Sequence, residues 1–348
     1  MKNYPRQQND WWLVILALLL TLGFSRFFSS ATWLAVVLWN FFWLLIFGQV
    51  LVVRDIFFLR RFVFIFLAIV FLLGFRLFLI DYNQLLLACP LAASTGLGIK
   101  IRTVFSVGKF FYLFLVPLIF LLLILWLGLR WCSFACFWGG WNELFATISG
   151  GKAIIKLRNP GYFRELPVAL WLFFNIVILT GGGLLFCLVL CPFKLTGIST
   201  AAISVGWLKH LWVLVLILAV IILPLLTKKH FFCRFLCPLK GLISLFGRSG
   251  WQVAINERCD NCQLCLQSCP EMAIVQSSSG IKIDQSYCTR CLLCRSICPV
   301  QAIEVSFSPG KLLTEEQLRR EVLFTLTFSA IINSFWGPAA FQHLLGLK

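Results

Sequence analysis

Between Trp251 and Phe307 the chain carries Cys259-x2-Cys262-x2-Cys265-x3-Cys269-Pro270 and then Cys288-x2-Cys291-x2-Cys294-x3-Cys298-Pro299. This doubled order is the bacterial pattern for a pair of 4Fe-4S clusters, in which the fourth cysteine of each run ligates the other run's cluster. One cluster is therefore assigned to Cys259, Cys262, Cys265 and Cys298, and the second to Cys288, Cys291, Cys294 and Cys269. Three thiolates on a tight loop wrap three corners of a cubane, and the cysteine before proline closes the neighbouring cube. The intervening EMAIVQSSSGIKID reads as a short helix, a strand, a turn at Ser279-Gly280 and a strand, and VQAIEVSF repeats the first half of that plan. Structural zinc and disulfides are the alternatives for so many cysteines. The doubled order argues against both.

The rest of the chain has a different composition. Of its 348 residues 60% are hydrophobic and only 12% charged, as in an integral membrane protein with a small soluble appendage. Apolar spans lie near 11–28, 31–53, 61–80, 109–129, 167–190 and 207–226, each close to the roughly 20 residues that cross a bilayer core. Trp11, Trp12, Trp33, Trp126, Trp131 and Trp207 sit near span ends, as interfacial anchors do. The first span, with Lys2 and Arg6 ahead of it and Ser29-Ser30-Ala31 behind, is read as a retained helix rather than a signal peptide.

The net charge is +17, yet residues 251–310 hold four basic and five acidic side chains, so the positive excess lies in the membrane part. Its meaning there is topology and anionic lipid; no nucleic-acid module is present. Six spans place Lys2, Arg6, Arg54, Arg60, Arg61, Arg130, Lys152, Lys156, Arg158, Arg164, Lys228 and Lys229 on one side, against Arg26, Arg76, Lys100, Arg102, Lys109, Lys194 and Lys209 on the other. That bias puts the N terminus and the ferredoxin-like domain in the cytoplasm, with the chain a multi-pass protein of the cytoplasmic membrane.

From the third span onward the sequence repeats. ACPLAASTGLG at Cys89-Pro90 returns as LCPFKLTGIST at Cys191-Pro192, and WCSFACFWGGWNELFA from Trp131 returns as FCRFLCPLKGLISLFG from Phe232. Units of two spans run in the same sense about an axis along the membrane normal, so equivalent motifs share a side. Cys132-x3-Cys136 and Cys233-x3-Cys237-Pro238 then face each other on the cytoplasmic side. Residues four apart share a helical face, so the two pairs offer a four-thiolate site for a third 4Fe-4S cluster. On the outer side Cys187-x3-Cys191-Pro192 has a partner that keeps only Cys89, with Leu85 where a cysteine is expected. Three cysteines there fit a 4Fe-4S cluster with a non-cysteine ligand, a 3Fe-4S cluster or an empty site; Asp81, Asn83, Ser94, Thr95, Lys194 and Thr196 are the nearby polar groups. A lone C-x3-C pair would read as buried cysteines packing as small hydrophobes; duplication and the ferredoxin runs favour ligands.

These readings divide the chain into two N-terminal spans (1–60), a first membrane repeat (61–150), a second (151–248), a 2x 4Fe-4S ferredoxin-like domain (249–310) and an amphipathic or membrane-associated tail (311–348). The fold class is an all-α polytopic membrane domain of about six transmembrane helices with an internal two-helix repeat, joined to a small α+β dicluster ferredoxin domain. In the tail, Thr314 and Gln317 form a helix start, and residues 322–347 read as an interfacial or re-entrant helix pair. No haem is expected. Of the three histidines, His210, His230 and His343, the first two lie about 30 Å apart at opposite ends of one span. His230, beside Cys233, is a candidate to tune a cluster or a quinone. Gly181-Gly182-Gly183 reads equally as a packing seam and as backbone opened for the outer cofactor.

The motifs at Cys187-x3-Cys191-Pro192, Cys233-x3-Cys237-Pro238 and 259–299 resemble the membrane-bound polyferredoxin family over roughly Phe62 to Phe307. That family includes the ferredoxin-type quinol dehydrogenase subunit of periplasmic nitrate reductase systems and the membrane iron–sulfur protein that serves nitrous oxide reductase. The chain departs from it at Phe137, where proline is expected, and at Leu85. The resemblance implies a membrane-integral electron-transfer subunit, its partners being lipid, other oxidoreductase subunits or a soluble redox protein, with menaquinone or ubiquinone a candidate. No nucleophile, general acid–base pair or phosphate loop is present, so catalytic residues are not assigned. A bilayer of about 30 Å needs intermediate stations for tunnelling, which the cluster sites supply. Quinol dehydrogenation and an assembly or sensory role remain open beside the relay.

Overall fold

The computed structural model of the chain describes residues 11–28, 31–52, 56–78, 116–148, 153–157, 161–180, 211, 214–245, 250–277, 280–308, 311–334 and 337–346. Helices α1 (Trp11–Phe28), α2 (Trp33–Val52) and α3 (Ile56–Phe78) open it. Apart from Asn40 and Gln49, α2 is apolar all round: Trp33, Leu34, Phe41 and Leu45 are exposed while Trp39, Trp43 and Phe47 are buried against neighbours. A helix apolar on every face belongs in lipid or a large core. Among the described residues Trp33–Leu51 and Leu121–Ile148 are long and apolar enough to cross a bilayer, with mean hydropathies of 2.1 and 1.7; Trp11–Arg26 and Leu214–Thr227 are apolar but shorter. The expected spans at 109–129, 167–190 and 207–226 run in part through residues outside the described set.

Two boundaries differ from the sequence reading. Helix α3 begins at Ile56, so Arg60 and Arg61, expected in a loop, lie in its first turns, and Arg60 is buried. The segment after α4 (Val116–Leu127) was expected to leave the membrane part as a loop. Instead it tightens through a 3-10 turn at Gly128–Arg130 and one helical turn at Trp131–Phe134, then resumes as α5 (Phe137–Ile148). Trp138, Trp141 and Ala146 pull α5 back into the core.

After α6 (Leu166–Leu179) comes α7 (Leu214–Thr227), which contains a π-helical turn at Leu218–Ile222 and ends at left-handed Lys228. The amides of Ile154 and Ile155 both donate to the Leu226 carbonyl, at 2.9 and 3.1 Å, and close its C-terminal end. A second π turn, Phe232–Leu236, leads to α8 (Pro238–Leu245). The broadest helix pairings are α3 with α5 and α6 with α8. Each is seated on a glycine four residues beyond a cysteine: a Cβ on Gly140 would stand 2.6 Å from the Phe64 carbonyl, and one on Gly241 would collide with the Pro167 carbonyl. The same close approach thus recurs in both copies of the repeated motif.

The ferredoxin-like part holds β1 (Gln252–Ile255), α9 (Leu264–Ser268), β2 (Ile274–Ser277), β3 (Gly280–Ile283), α10 (Leu293–Ser296), β4 (Ile303–Ser308) and β5 (Lys311–Leu312). Strand β4 pairs antiparallel with β1, Ile303 opposite Ile255, and with β5, while β2 and β3 form a separate antiparallel pair with Ile274 opposite Ile283. The helix expected after Pro270 is a turn with Met272 at φ 51°. The helical residues come earlier, at Leu264–Ser268 inside the cysteine run, because the chain must curl around the cysteines before the strand begins.

The tail is a helix pair, α11 (Glu315–Asn333) and α12 (Gly337–Leu344), opened by a full capping box between Thr314 and Gln317. It packs into the first three helices: α11 on α1 and α2, α12 on α2 and α3. Arg319 donates to the carbonyls of Val50 and Leu51 at 2.9 and 3.2 Å, satisfying the end of α2, and the Trp39 indole donates to Ser334 at 3.3 Å. Gly337 lies flat on the Trp39 ring, where any Cβ would collide. Gly337→Val therefore destabilises the membrane part by roughly 1–3 kcal/mol, the usual range for overpacking. Gly23→Val, where nothing stands within 4 Å, should leave the thermal midpoint followed by tryptophan fluorescence much closer to wild type.

Candidate iron–sulfur sites

The two ferredoxin runs fold alike at an offset of 29 residues. Asn261 and Gln263 in the first, and Arg290 and Leu292 in the second, take positive φ between 57° and 64°, and Met272 and Gln301 both stand at 51°. Non-glycine residues accept this region only at a cost of about 1–3 kcal/mol each. Here it bends successive amides into concave loops of the kind that cradle anions and iron–sulfur groups. Amides also reach sulfur: Ala273 N donates to Cys269 Sγ at 3.4 Å and Ala302 N to Cys298 Sγ at 3.3 Å.

The sulfurs draw together within each run, and Cys269 crosses from the first run to the second. Cys269 of the first run lies within electrostatic reach of Cys288, Cys291 and Cys294 of the second, and Cys265 within reach of Cys259 and Cys262. All twelve described cysteines are free of disulfides. Nor do any three of the described His, Cys, Asp and Glu side chains converge on a single ion. A tetrahedral zinc would draw four sulfurs to about 2.3 Å from one centre, whereas a cube with an iron at each corner holds them apart. Loops, donors and sulfurs fit the larger anionic group. Burial pushes the Cys288 thiol up to about 11 and Cys291 up to about 12, so iron entering this site must displace protons.

The four membrane-side cysteines also come together. Cys132 lies within reach of Cys136 and Cys237, and Cys233 within reach of Cys136 and Cys237. They do not share continuous helical faces, contrary to expectation. Cys237 is extended, at φ −83° and ψ 109°, because proline disfavours a helical residue before it. In the other copy Cys136 N bonds back to the Trp131 carbonyl at 3.0 Å and the helix breaks at Ala135 without a proline. The break at the second cysteine turns its sulfur inward, and Cys136, Cys233 and Cys237 are all buried. Cys89, Cys187, Cys191, Leu85, His210 and Gly181-Gly182-Gly183 lie outside the described residues.

Apart from His230, sequence reasoning missed the polar and charged groups between the two sites. Glu143 accepts from Arg60 at 2.8 Å, with Arg61 at 3.6 Å, and faces His230 Nε2 at 3.9 Å. His230 Nδ1 pairs with Glu271 Oε1 at 2.9 Å, and the second Glu271 oxygen accepts from Lys240. Arg60, Glu143, His230, Glu271 and Lys240 are all buried. Against its own burial, the Glu271 carboxyl is held at about 2 by Lys240 and His230. A signal was present in the repeat: Glu271 and Arg290 occupy places where the other half carries Val300 and Asn261, both at the surface. The asymmetry marks the face of the ferredoxin part that is pressed on the helices. Lys229 Nζ also bonds the carbonyls of Gln267 and Cys269 there, at 2.6 and 2.7 Å.

Comparison with known proteins agrees with this geometry. The 4Fe-4S dicluster domain family matches residues 258–302, which span all eight ferredoxin cysteines. Regulatory protein NosR of Pseudomonas aeruginosa is 29% identical over 180 residues, covering 45% of this chain and 23% of the relative. Regulatory protein NosR of Stutzerimonas stutzeri is 27% identical over 174 residues, with the same shares of 45% and 23%. The chain thus spans less than a quarter of the length of these curated relatives. No solved structure matches. In its dicluster domain and the order of its cysteines, the chain is similar to the NosR-like polyferredoxins over rather less than half of its length.

Proposed function

We propose that the chain is a membrane-integral electron-transfer subunit, relaying electrons between its ferredoxin-like domain and the membrane or its outer face to serve a partner oxidoreductase. One observation carries this reading: Ser133 Oγ, beside Cys132, donates to the carbonyl of Thr289, beside Cys288, at 2.6 Å. The loop of one candidate site therefore touches the loop of the next, and tunnelling requires such closeness. In the proposed arrangement Cys259, Cys262, Cys265 and Cys298 hold one cluster, and Cys288, Cys291, Cys294 and Cys269 the second. Cys132, Cys136, Cys233 and Cys237 hold a third at the inner membrane face, and Cys89, Cys187 and Cys191 line the outer site. A bound cluster supplies one-electron chemistry; the chain supplies thiolates, amide donors and exclusion of water. Six spans, with the N terminus and ferredoxin part cytoplasmic, complete the proposal.

An anaerobic iron and sulfide count with EPR tests it. Four cubanes give about sixteen irons, and Cys191→Ala loses about four or fewer. A count of about twelve, unchanged in that variant, removes the outer station and leaves a relay confined to the cytoplasmic side.

A second reading, quinol dehydrogenation, is favoured by a cavity of about 590 Å³ between α3, α5, the end of α7 and the ferredoxin loops. Phe57, Leu157 and Leu293 give it apolar walls, Arg61 and Lys228 line it, and buried Glu143 and His230 supply polar groups. Glu143 Oε2 has no hydrogen-bond partner among the described residues, which leaves an acceptor for a quinol hydroxyl. Glu143→Gln should slow quinol-driven reduction of the clusters at least tenfold while their reduction by dithionite and the iron content stay at wild-type levels. An unchanged quinol rate discards the reading. The name of the relatives raises a regulatory role as well; clusters that load fully yet exchange no electrons with quinol or a redox partner would replace the relay with it.

A further inference from the structure

A buried lysine stands where the two inward sites meet. Lys240 follows Cys237 by three residues at the start of α8 and has 0% exposure. Its Nζ donates to Glu271 Oε2, and Glu271 follows Cys269 by two residues. One ion pair therefore joins the segment that carries a membrane-side thiol to the segment that carries a ferredoxin thiol. The ammonium lies within electrostatic reach of Cys132, Cys233 and Cys237 on one side and of Cys288 on the other. The backbone amides of Lys240 and Leu239 donate to the Cys237 sulfur. Packing does not account for the charge, since a buried ion pair is often no better for stability than apolar side chains of the same volume. The companion copy of the motif has Gly139 at this place.

Four thiolates give each loaded site negative charge, and reduction adds more. Cluster potentials follow net charge and hydrogen bonding to sulfur, so a fixed cation between two sites favours the reduced form of both. Resting on the reading that these thiols hold clusters, we propose that Lys240 is a positioning residue that raises the reduction potentials of both inward sites together. One electron passes between the sites; no bond forms or breaks, and no proton moves at Lys240. Glu271 orients the ammonium and works against it, and His230, Glu143, Arg60 and Arg290 complete the charges around the pair.

The test is an EPR-monitored redox titration of the full-length protein, with iron counted on every variant. Lys240→Met should shift one-electron reduction of both sites at least tenfold toward the oxidised form, about 59 mV per tenfold. Lys240→Arg should restore most of that shift, and Glu271→Gln should shift both sites the other way. Lys240→Met with Glu271→Gln removes both members of the pair together; it guards against misfolding and should return the one-electron reduction equilibrium of both sites to within threefold of wild type. Wild-type iron and unmoved potentials in Lys240→Met overturn the inference. A shift at one site alone also overturns it, as does equal iron loss in Lys240→Met, Lys240→Arg and the double variant, which marks a purely structural lysine. A wild-type protein with only about eight irons, two cubanes' worth, overturns the reading of the membrane-side site, and the inference with it.

Discussion

The Glu271 carboxylate, closed in by Lys240 and His230, is the contact on which the joining of the two parts depends. Stripping an ion of water costs several kcal/mol, and mutual attraction repays that only when geometry and further hydrogen bonds are good. Here the other ring nitrogen of His230 faces Glu143, and Glu143 is clamped by Arg60, which in turn holds the Ser133 carbonyl at 2.7 Å. A chain of buried polar contacts thus runs from α3 through α5 to the loop after Cys269. Removing one member would strand its neighbour without solvent. Such a chain fixes relative placement more than it adds stability, and fixed placement is what a series of electron-carrying sites needs.

The ferredoxin part is where the sequence was most readable. Cysteine spacing led to the two runs and the crossed grouping of Cys269 with the second run, and the residues between and after the runs led to the β2–β3 pair and the strand after the second run. The helix start at Thr314 was also legible, since a capping box is a local device read from two residues. The spacing did not reveal the left-handed residues at 261, 263, 290 and 292. Gln, Arg and Leu give no glycine-like warning, unlike Asn261, and the loops impose that conformation on them.

The membrane part was legible in outline and opaque in detail. Hydropathy located apolar stretches but ended the fourth at 129, because Arg130 looks like the edge of a membrane. In the fold Arg130 is buried, bonded to the Leu127 carbonyl and to Glu321 at 3.1 Å each. Arg60 was misplaced in a loop for the same reason, its partner Glu143 lying 83 residues away. Buried ion pairs between distant segments are invisible to any window that scores residues singly. The comparison of one repeat with the other was the one available signal. It was applied to cysteines and prolines, not to the charged positions between them.

The seat of Gly337 on Trp39 bears on how the chain is made. Trp39 and Ser334 are 295 residues apart, so the ring that seats Gly337 is synthesised well before the helix pair that covers it. At about 5–20 residues per second this interval is roughly 15–60 s. During it α2 and α3 lie in place without α12, and the end of α2 lacks the guanidinium of Arg319. Closure of this contact thus waits for α11 and α12, which follow all twelve described cysteines in the chain.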